Sequence, residues 1–193
     1  RSTFEIFNVN YYPDTSDPVT GVNPRSRMKE ILDFCKDYAA DFGTDSPSLL
    51  LYGATGLGKT HLSLAIASEA IRKCYGVIYG SAQNLMSRLE KEHFSSGRDN
   101  EYDGSEQAIL ECDLLVIDDL GAEFSTQFTV AELYNIINTR IMSRLPVIIS
   151  TNLTPDGLEQ KYTQRITSRI IGNYISLYFC GKDIRQIKTM EQE

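Results

Sequence analysis

The spacing of three glycines and a lysine constrains this chain more than anything else in it. Gly53-Ala54-Thr55-Gly56-Leu57-Gly58-Lys59-Thr60 begins where the apolar run Ser48-Leu49-Leu50-Leu51-Tyr52 ends, and an apolar-periodic segment follows from Lys59 to about Cys74. A short continuous apolar run closed by glycine reads as a strand buried on both faces. The same alternation then repeats. Strands are expected at residues 77–79, 114–117, 147–150 and 174–179, separated by helices over 82–92, 105–111, 129–143, 155–161 and 164–171. Upstream, Asn23-Pro24 supplies a helix cap with proline in the first turn, and Met28, Ile31, Leu32, Cys35, Tyr38 and Ala39 recur at helical spacing until Gly43. Strands alternating with helices argue an α/β fold with a parallel sheet covered on both faces.

At 193 residues the chain can bury one sizeable core. Residues 1–22 mix Phe4, Phe7, Tyr11 and Tyr12 with proline, aspartate, threonine and glycine, and read as an irregular arm. Residues 23–193 read as a single domain without internal repeats. No apolar run approaches the ~20 residues of a membrane span, and no charged-then-apolar leader is visible, so a cytoplasmic location is expected. The chain starts at Arg1 without an initiator methionine, which suggests processing or excision from a longer protein. A formal charge of -7 argues against sequence-independent duplex binding, though not against a local basic groove. Cys35, Cys74, Cys112 and Cys180 are scattered without a CxxC pair, so reduced, mostly buried thiols are expected rather than zinc ligands.

The pattern GxxxxGK[ST] is a phosphate-binding loop. Closely spaced backbone N–H groups cradle phosphate oxygens, glycines permit the backbone angles, and the following helix adds its N-terminal dipole. Residues 53–60 are therefore expected to bind ATP, with Lys59 reaching the β/γ-phosphates and the Thr60 hydroxyl ligating Mg²⁺. His61, next along the helix, reads as packing or capping rather than catalysis. Leu114-Leu115-Val116-Ile117-Asp118-Asp119 describes a buried strand delivering two acids to the sheet's C-terminal edge, where ligands bind in open α/β folds. Asp118 fits the acid that supports Mg²⁺, and Asp119 the group that orients and deprotonates an attacking water. Without the glycine loop, the same pair would read equally well as a cap for the turn at Gly121. Val147-Ile148-Ile149-Ser150-Thr151-Asn152 ends a further buried strand on a neutral polar residue, and Asn152 could orient the water or sense the γ-phosphate. Arg165, Arg169 and Arg185 supply planar, permanently charged groups suited to phosphoryl transfer. Spacing alone does not choose among them.

Together these residues resemble the AAA+ ATPases of the bacterial DnaC/DnaI helicase-loader group, which includes the IstB-like transposition ATPases. The resemblance covers nearly the whole chain. It rests on Ser2-Thr3-Phe4-Glu5-Ile6-Phe7, residues 53–60, residues 115–121, Ser150-Thr151-Asn152-Leu153, Ser168-Arg169-Ile170 and Asp183-Ile184-Arg185. Gly56-Leu57-Gly58-Lys59-Thr60-His61-Leu62 is also similar to the loop of the related DnaA initiators, which brings His61 into the nucleotide-binding set. The resemblance implies a P-loop NTPase core with a five-stranded parallel sheet between helices and an ATP shared at a subunit interface. It implies adenine held against the arm, with Phe7 at the position that packs on the base. Asn152 matches sensor 1, Arg169 the arginine finger that reaches a neighbour's ATP, and Arg185 the sensor 2 residue acting in cis. Asp119 stands where most AAA+ proteins carry glutamate, which implies slow turnover. Only eight residues follow Arg185, too few for the usual helical lid, and the group's N-terminal helicase-binding domain has no counterpart before Arg1.

The implied activity is an ATP switch that loads the replicative helicase onto single-stranded DNA, working as a self-associating oligomer. In initiator-type relatives the stretch after the second strand faces a channel for single-stranded DNA. Here that is roughly residues 82–104, where Arg88, Lys91, His93 and Arg98 interleave with Glu90, Glu92 and Asp99, and Phe94 and Tyr102 offer stacking surfaces. Three other readings compete. An IstB-like transposition ATPase would share every motif. A nucleotide-bound interaction module would hydrolyse negligibly. A small-molecule kinase would need an acceptor pocket, whereas Asp118-Asp119 with Asn152 one strand later favours water as the nucleophile.

Overall fold

The computed structural model describes residues 2–95 and 104–190. Five strands, β1 (Ser48–Tyr52), β2 (Val77–Ser81), β3 (Leu114–Leu120), β4 (Val147–Thr151) and β5 (Tyr174–Tyr178), form one sheet in the order β2-β3-β4-β1-β5. Every pairing is parallel. Leu49 and Leu51 of β1, Leu114 and Val116 of β3, and Ile148 of β4 face a core beneath α1 (Pro24–Ala40) and α2 (Lys59–Arg72). Leu50, Leu115, Ile117, Val147 and Ile149 face the opposite core. That second core lies beneath α3 (Ala82–Ser95), α4 (Ser105–Glu111), α5 (Gln127–Met142), α6 (Pro155–Lys161) and α7 (Gln164–Asn173). Successive side chains alternate faces, yet the runs show no hydrophobic alternation because both faces are covered.

Four of the helices, α1, α5, α6 and α7, start where a polar side chain satisfies one of their first amides. Asn23 accepts from Ser26 N–H with Pro24 in the first turn of α1. Thr154 and Thr163 cap α6 and α7 in the same way. Thr126 caps α5, so this helix begins at Gln127 rather than at the expected Thr129, whose side chain instead closes the cap from inside. After β5 the described chain forms α8 (Ile184–Met190), seven residues long.

Two further findings depart from the sequence reading. β3 runs on through Asp118 and Asp119 to Leu120, with a register shift between Ile117 and Leu120 against β4. Of the four cysteines, Cys35 alone is buried; Cys112 and Cys180 are half-buried and Cys74 is exposed. Cys74 lies just past α2 at φ 67°, where the chain reverses at the surface. Arg140 is fully buried and donates to the carbonyls of Ile109, Cys112 and Pro146 at 2.8, 2.9 and 2.8 Å. It thereby ties α5 to the end of α4 and to the entrance of β4, away from the glycine loop. No helix among the described residues is long and apolar enough to cross a membrane.

Candidate functional site

The glycine loop leaves the C-terminal end of β1 and crosses the ends of β3 and β4, at the edge where open parallel sheets bind ligands. Three segments press on it. A Cβ on Gly53 would stand 2.2 Å from Phe179 O, one on Gly56 1.9 Å from Asp183 Oδ1, and one on Gly58 2.6 Å from the Phe7 ring. Gly58 also caps α2 at φ 88°, a left-handed angle natural to glycine. The motif's glycines thus serve close approach as well as backbone direction.

Lys59, the first residue of α2, is 6% exposed. Its ammonium donates to Gly53 O at 2.7 Å, Ala54 O at 2.6 Å and Asn152 Oδ1 at 2.9 Å, which engages all three of its protons. Burial pulls its pKa down to about 8, against the upward pull of Asp119 and Asp118. Asn152 in turn donates from Nδ2 to Asp119 Oδ1 at 2.9 Å. Lysine, asparagine and second acid therefore form one chain of hydrogen bonds across the site.

Asp118, 8% exposed, accepts from Thr60 Oγ1 at 2.9 and 3.1 Å, from Ser150 Oγ at 2.5 Å and from Tyr79 Oη at 2.9 Å. The Ser150 hydroxyl also accepts from Asp119 N–H at 2.9 Å. Burial and the neighbouring carboxylate push the Tyr79 pKa up, so the phenol stays a donor. Thr60 and Asp118 present hard oxygens side by side, the donor type Mg²⁺ takes, and this pair could hold that ion. Asp119 adopts φ 55° inside the bulged end of β3. The bulge re-aims its half-buried carboxylate along the site's rim. Left-handed backbone at a non-glycine residue is uncommon, and aspartate tolerates it better than most.

The arm closes one side of the site. Tyr12, 1% exposed, donates to Leu57 O at 2.7 Å. Phe7 stacks on Tyr12 with centroids 6.0 Å apart and lies 5.5 Å from the His61 ring. His61 Nε2 is 2.7 Å from Thr3 O; a carbonyl only accepts, so this nitrogen carries the proton. His61 therefore clips the arm to α2. Arm, loop, Asp118, Asp119, Asn152 and Arg185 enclose a cavity of ≈ 560 Å³, within the usual range for a small-molecule pocket.

Arg165 and Arg169 are not among the residues lining that cavity. Arg169 donates from Nε to Asn138 Oδ1 at 2.9 Å and lies 4.9 Å over the Tyr134 ring, with Arg165 5.9 Å over the same ring. On α3, His93 and Phe94 cluster with Phe128 at centroid distances of 5.1, 5.3 and 6.0 Å, and Phe94 is largely exposed. Arg98, Asp99 and Tyr102 of the expected DNA stretch lie outside the described residues. Sequence reasoning gave no role to Ser150, Tyr79 or Tyr12. A hydroxyl at the end of a buried strand was the available signal for Ser150; the two tyrosines gave none beyond being aromatic.

Fold and loop together define the class of protein, a P-loop ATPase with an AAA+ core. The chain belongs to the IstB-like ATP binding protein family, whose model matches residues 34–172. It is 29% identical over 140 residues to the chromosomal replication initiator protein DnaA of Aquifex aeolicus, covering 72% of this chain and 34% of that protein. It is 26% identical over 149 residues to the replicative helicase loader DnaC of Escherichia coli K12, covering 75% and 58% respectively. A crystal structure of the DnaC helicase loader shares the fold with a TM-score of 0.72 at 21% identity, over 93% of this chain and 97% of that one. The chain spans 34% and 58% of the length of these two curated relatives.

Proposed function

We propose that this chain is the ATP-hydrolysing switch domain of a DnaC-type replication protein, timing the placement of a replicative helicase on single-stranded DNA. The observation that carries the reading is the hydrogen-bonded chain Lys59–Asn152–Asp119 at the sheet edge. It joins the group suited to phosphate with the group suited to water. The loop amides and the α2 N-terminus bind the β- and γ-phosphates, and Lys59 exchanges loop carbonyls for phosphate oxygens. Thr60 and Asp118 would hold Mg²⁺, which when bound would neutralise charge on those oxygens. Asn152 orients the attacking water and Asp119 accepts its proton. Arg185 lines the same cavity and faces the γ-phosphate in cis, while Phe7 packs on adenine. The partly exposed aromatic cluster of α3, with Arg88 and Lys91 on the same helix, suits a single strand that stacks its bases and tracks cations.

Arg169 acts on a neighbouring subunit's ATP. Its hold on Asn138 and Tyr134, away from its own cavity, supports that assignment. Wild-type ATPase per subunit is expected to rise with protein concentration. Arg169→Ala should remove that rise, about 10³-fold or more at saturating concentration, as loss of a trans arginine does elsewhere. An equal loss at every concentration would make Arg169 a cis or structural residue.

The client is tested by pull-down of the full-length protein against the replicative helicase and a transposase, each with ATP and with ADP. Nucleotide-dependent retention of the helicase is the expected result. Retention of the transposase alone would move the chain to the IstB-like transposition role, which the family match keeps in view.

A further inference from the structure

Among the described residues four charged side chains are buried: Lys59 and Asp118 in the site, Arg140 away from the loop, and Glu123. Glu123, 4% exposed, is the one that neither the site nor the helix packing explains. Its Oε2 accepts from Gly121 N–H at 2.9 Å, and Tyr162 donates a short hydrogen bond to its Oε1. Lys161 Nζ lies 4.0 Å from Oε1 and donates to the carbonyls of Gly121 and Glu123 at 2.5 and 2.7 Å.

All of these bonds end on one turn, the chain leaving β3 directly after Asp119. The turn passes through two left-handed residues, Asp119 at φ 55° and Gly121 at φ 107°. Ala122 N–H closes it on Asp119 O at 3.2 Å. A Cβ on Gly121 would stand 2.6 Å from Leu153 Cδ1, so the Leu153 side chain from β4's exit loop packs directly on the turn. The direction of the Asp119 side chain is therefore set by a turn whose amide and carbonyls Glu123 and Lys161 grip. At the other end, Lys161 finishes α6 and Tyr162 is its C-cap; α7, which bears Arg165 and Arg169, starts at Gln164. Burial and Glu123 push the Tyr162 pKa up, which keeps the phenol a donor. A buried ion pair is a poor source of stability compared with apolar packing, but it admits one geometry only when every polar end is matched.

We propose that Glu123, Lys161 and Tyr162 are positioning residues for hydrolysis: they fix the turn that aims Asp119 and, through the α6–α7 junction, set the arginine-bearing helix with it. The proposal rests on Asp119 being the hydrolytic acid. No member of the trio belongs to the phosphate loop or the cavity lining, so loss of the trio should be felt in turnover and not in nucleotide affinity.

The test is steady-state ATPase, nucleotide affinity and amide hydrogen exchange on the full chain. Tyr162→Phe removes a single hydroxyl. It is expected to lower kcat about tenfold, the effect of one lost hydrogen bond to a charged group, with KM and ATP affinity within about twofold of wild type. Exchange should rise together in residues 120–124 and 155–173. Glu123→Gln keeps the acceptor for Gly121 and removes the charge, and serves as the second variant if Tyr162→Phe unfolds; it should show the same split. An unchanged kcat in both, or a parallel loss of affinity, overturns the proposal. Asp119→Asn is run alongside. If that variant hydrolyses normally, the reading of Asp119 has failed; if it is inactive while Tyr162→Phe and Glu123→Gln are normal, only the positioning proposal has.

Discussion

Replacing Lys59 with alanine is expected to abolish measurable ATP binding. In the free protein the ammonium is already dehydrated and held by Gly53 O, Ala54 O and Asn152 Oδ1. Little reorganisation is needed for it to turn to phosphate. Two charge-assisted hydrogen bonds at ~1.5–3 kcal/mol each correspond to a loss of at least about 100-fold in affinity. Calorimetric titration would measure it, and undiminished affinity would remove the nucleotide assignment of the loop. The same lysine gives the affinity a pH dependence. Burial holds its pKa at about 8, whereas phosphates beside it raise that value once ATP is bound. Above about 8 the bound protein thus holds a proton the free protein has lost. ATP affinity should then fall as pH rises, by up to about tenfold per unit. For folding the sign reverses. Between about 8 and lysine's ordinary 10.5 the unfolded chain is the better proton binder, so this residue makes the unliganded domain more stable as pH rises across that window.

Most of the sheet was legible because its strands are buried on both faces, and Leu49-Leu50-Leu51 or Val147-Ile148-Ile149 leaves a helix little room to compete. The loop at residues 53–60 was legible because its chemistry is local. What escaped depends on contacts far apart in the chain. Tyr79 reaches Asp118 across neighbouring strands, and Tyr12 reaches Leu57 from an arm that gives no periodic signal. Glu123 reads as an ordinary loop charge until the end of α6 packs over it. Asp118-Asp119 read as a strand end, yet β3 continues by bulging at Asp119. Aspartate permits that conformation without announcing it, since the same residue is equally at home in a solvated turn. The acid pair's place at the sheet edge was thus accessible from sequence, and the direction of Asp119 was not.

Asp119→Asn is expected to leave ATP affinity within about threefold of wild type and to lower hydrolysis by about 10²–10⁴, the range for removing a general base. Asparagine is nearly isosteric, tolerates the φ of 55°, and retains an oxygen to accept from Asn152 Nδ2. The substitution therefore isolates the loss of a proton acceptor. Alanine would not, because a left-handed non-glycine residue without a polar side chain costs about 1–2 kcal/mol and would relax the turn that Glu123 grips. Single-turnover measurement of phosphate release, with binding measured on the same samples, separates the outcomes. A slow wild-type rate that drops further in Asp119→Asn supports water activation by Asp119. Hydrolysis in the variant at a substantial wild-type rate would make Asp119 a turn residue, with the attacking water positioned by Asn152 alone. If the wild type itself turns over no faster than Asp119→Asn, with ATP bound tightly by both, the cavity stores nucleotide as a conformational ligand and the domain is an interaction module. In that case Arg169, in its proposed trans role, would still sense the ATP of a neighbour, but the switch would be reset by nucleotide exchange rather than by cleavage.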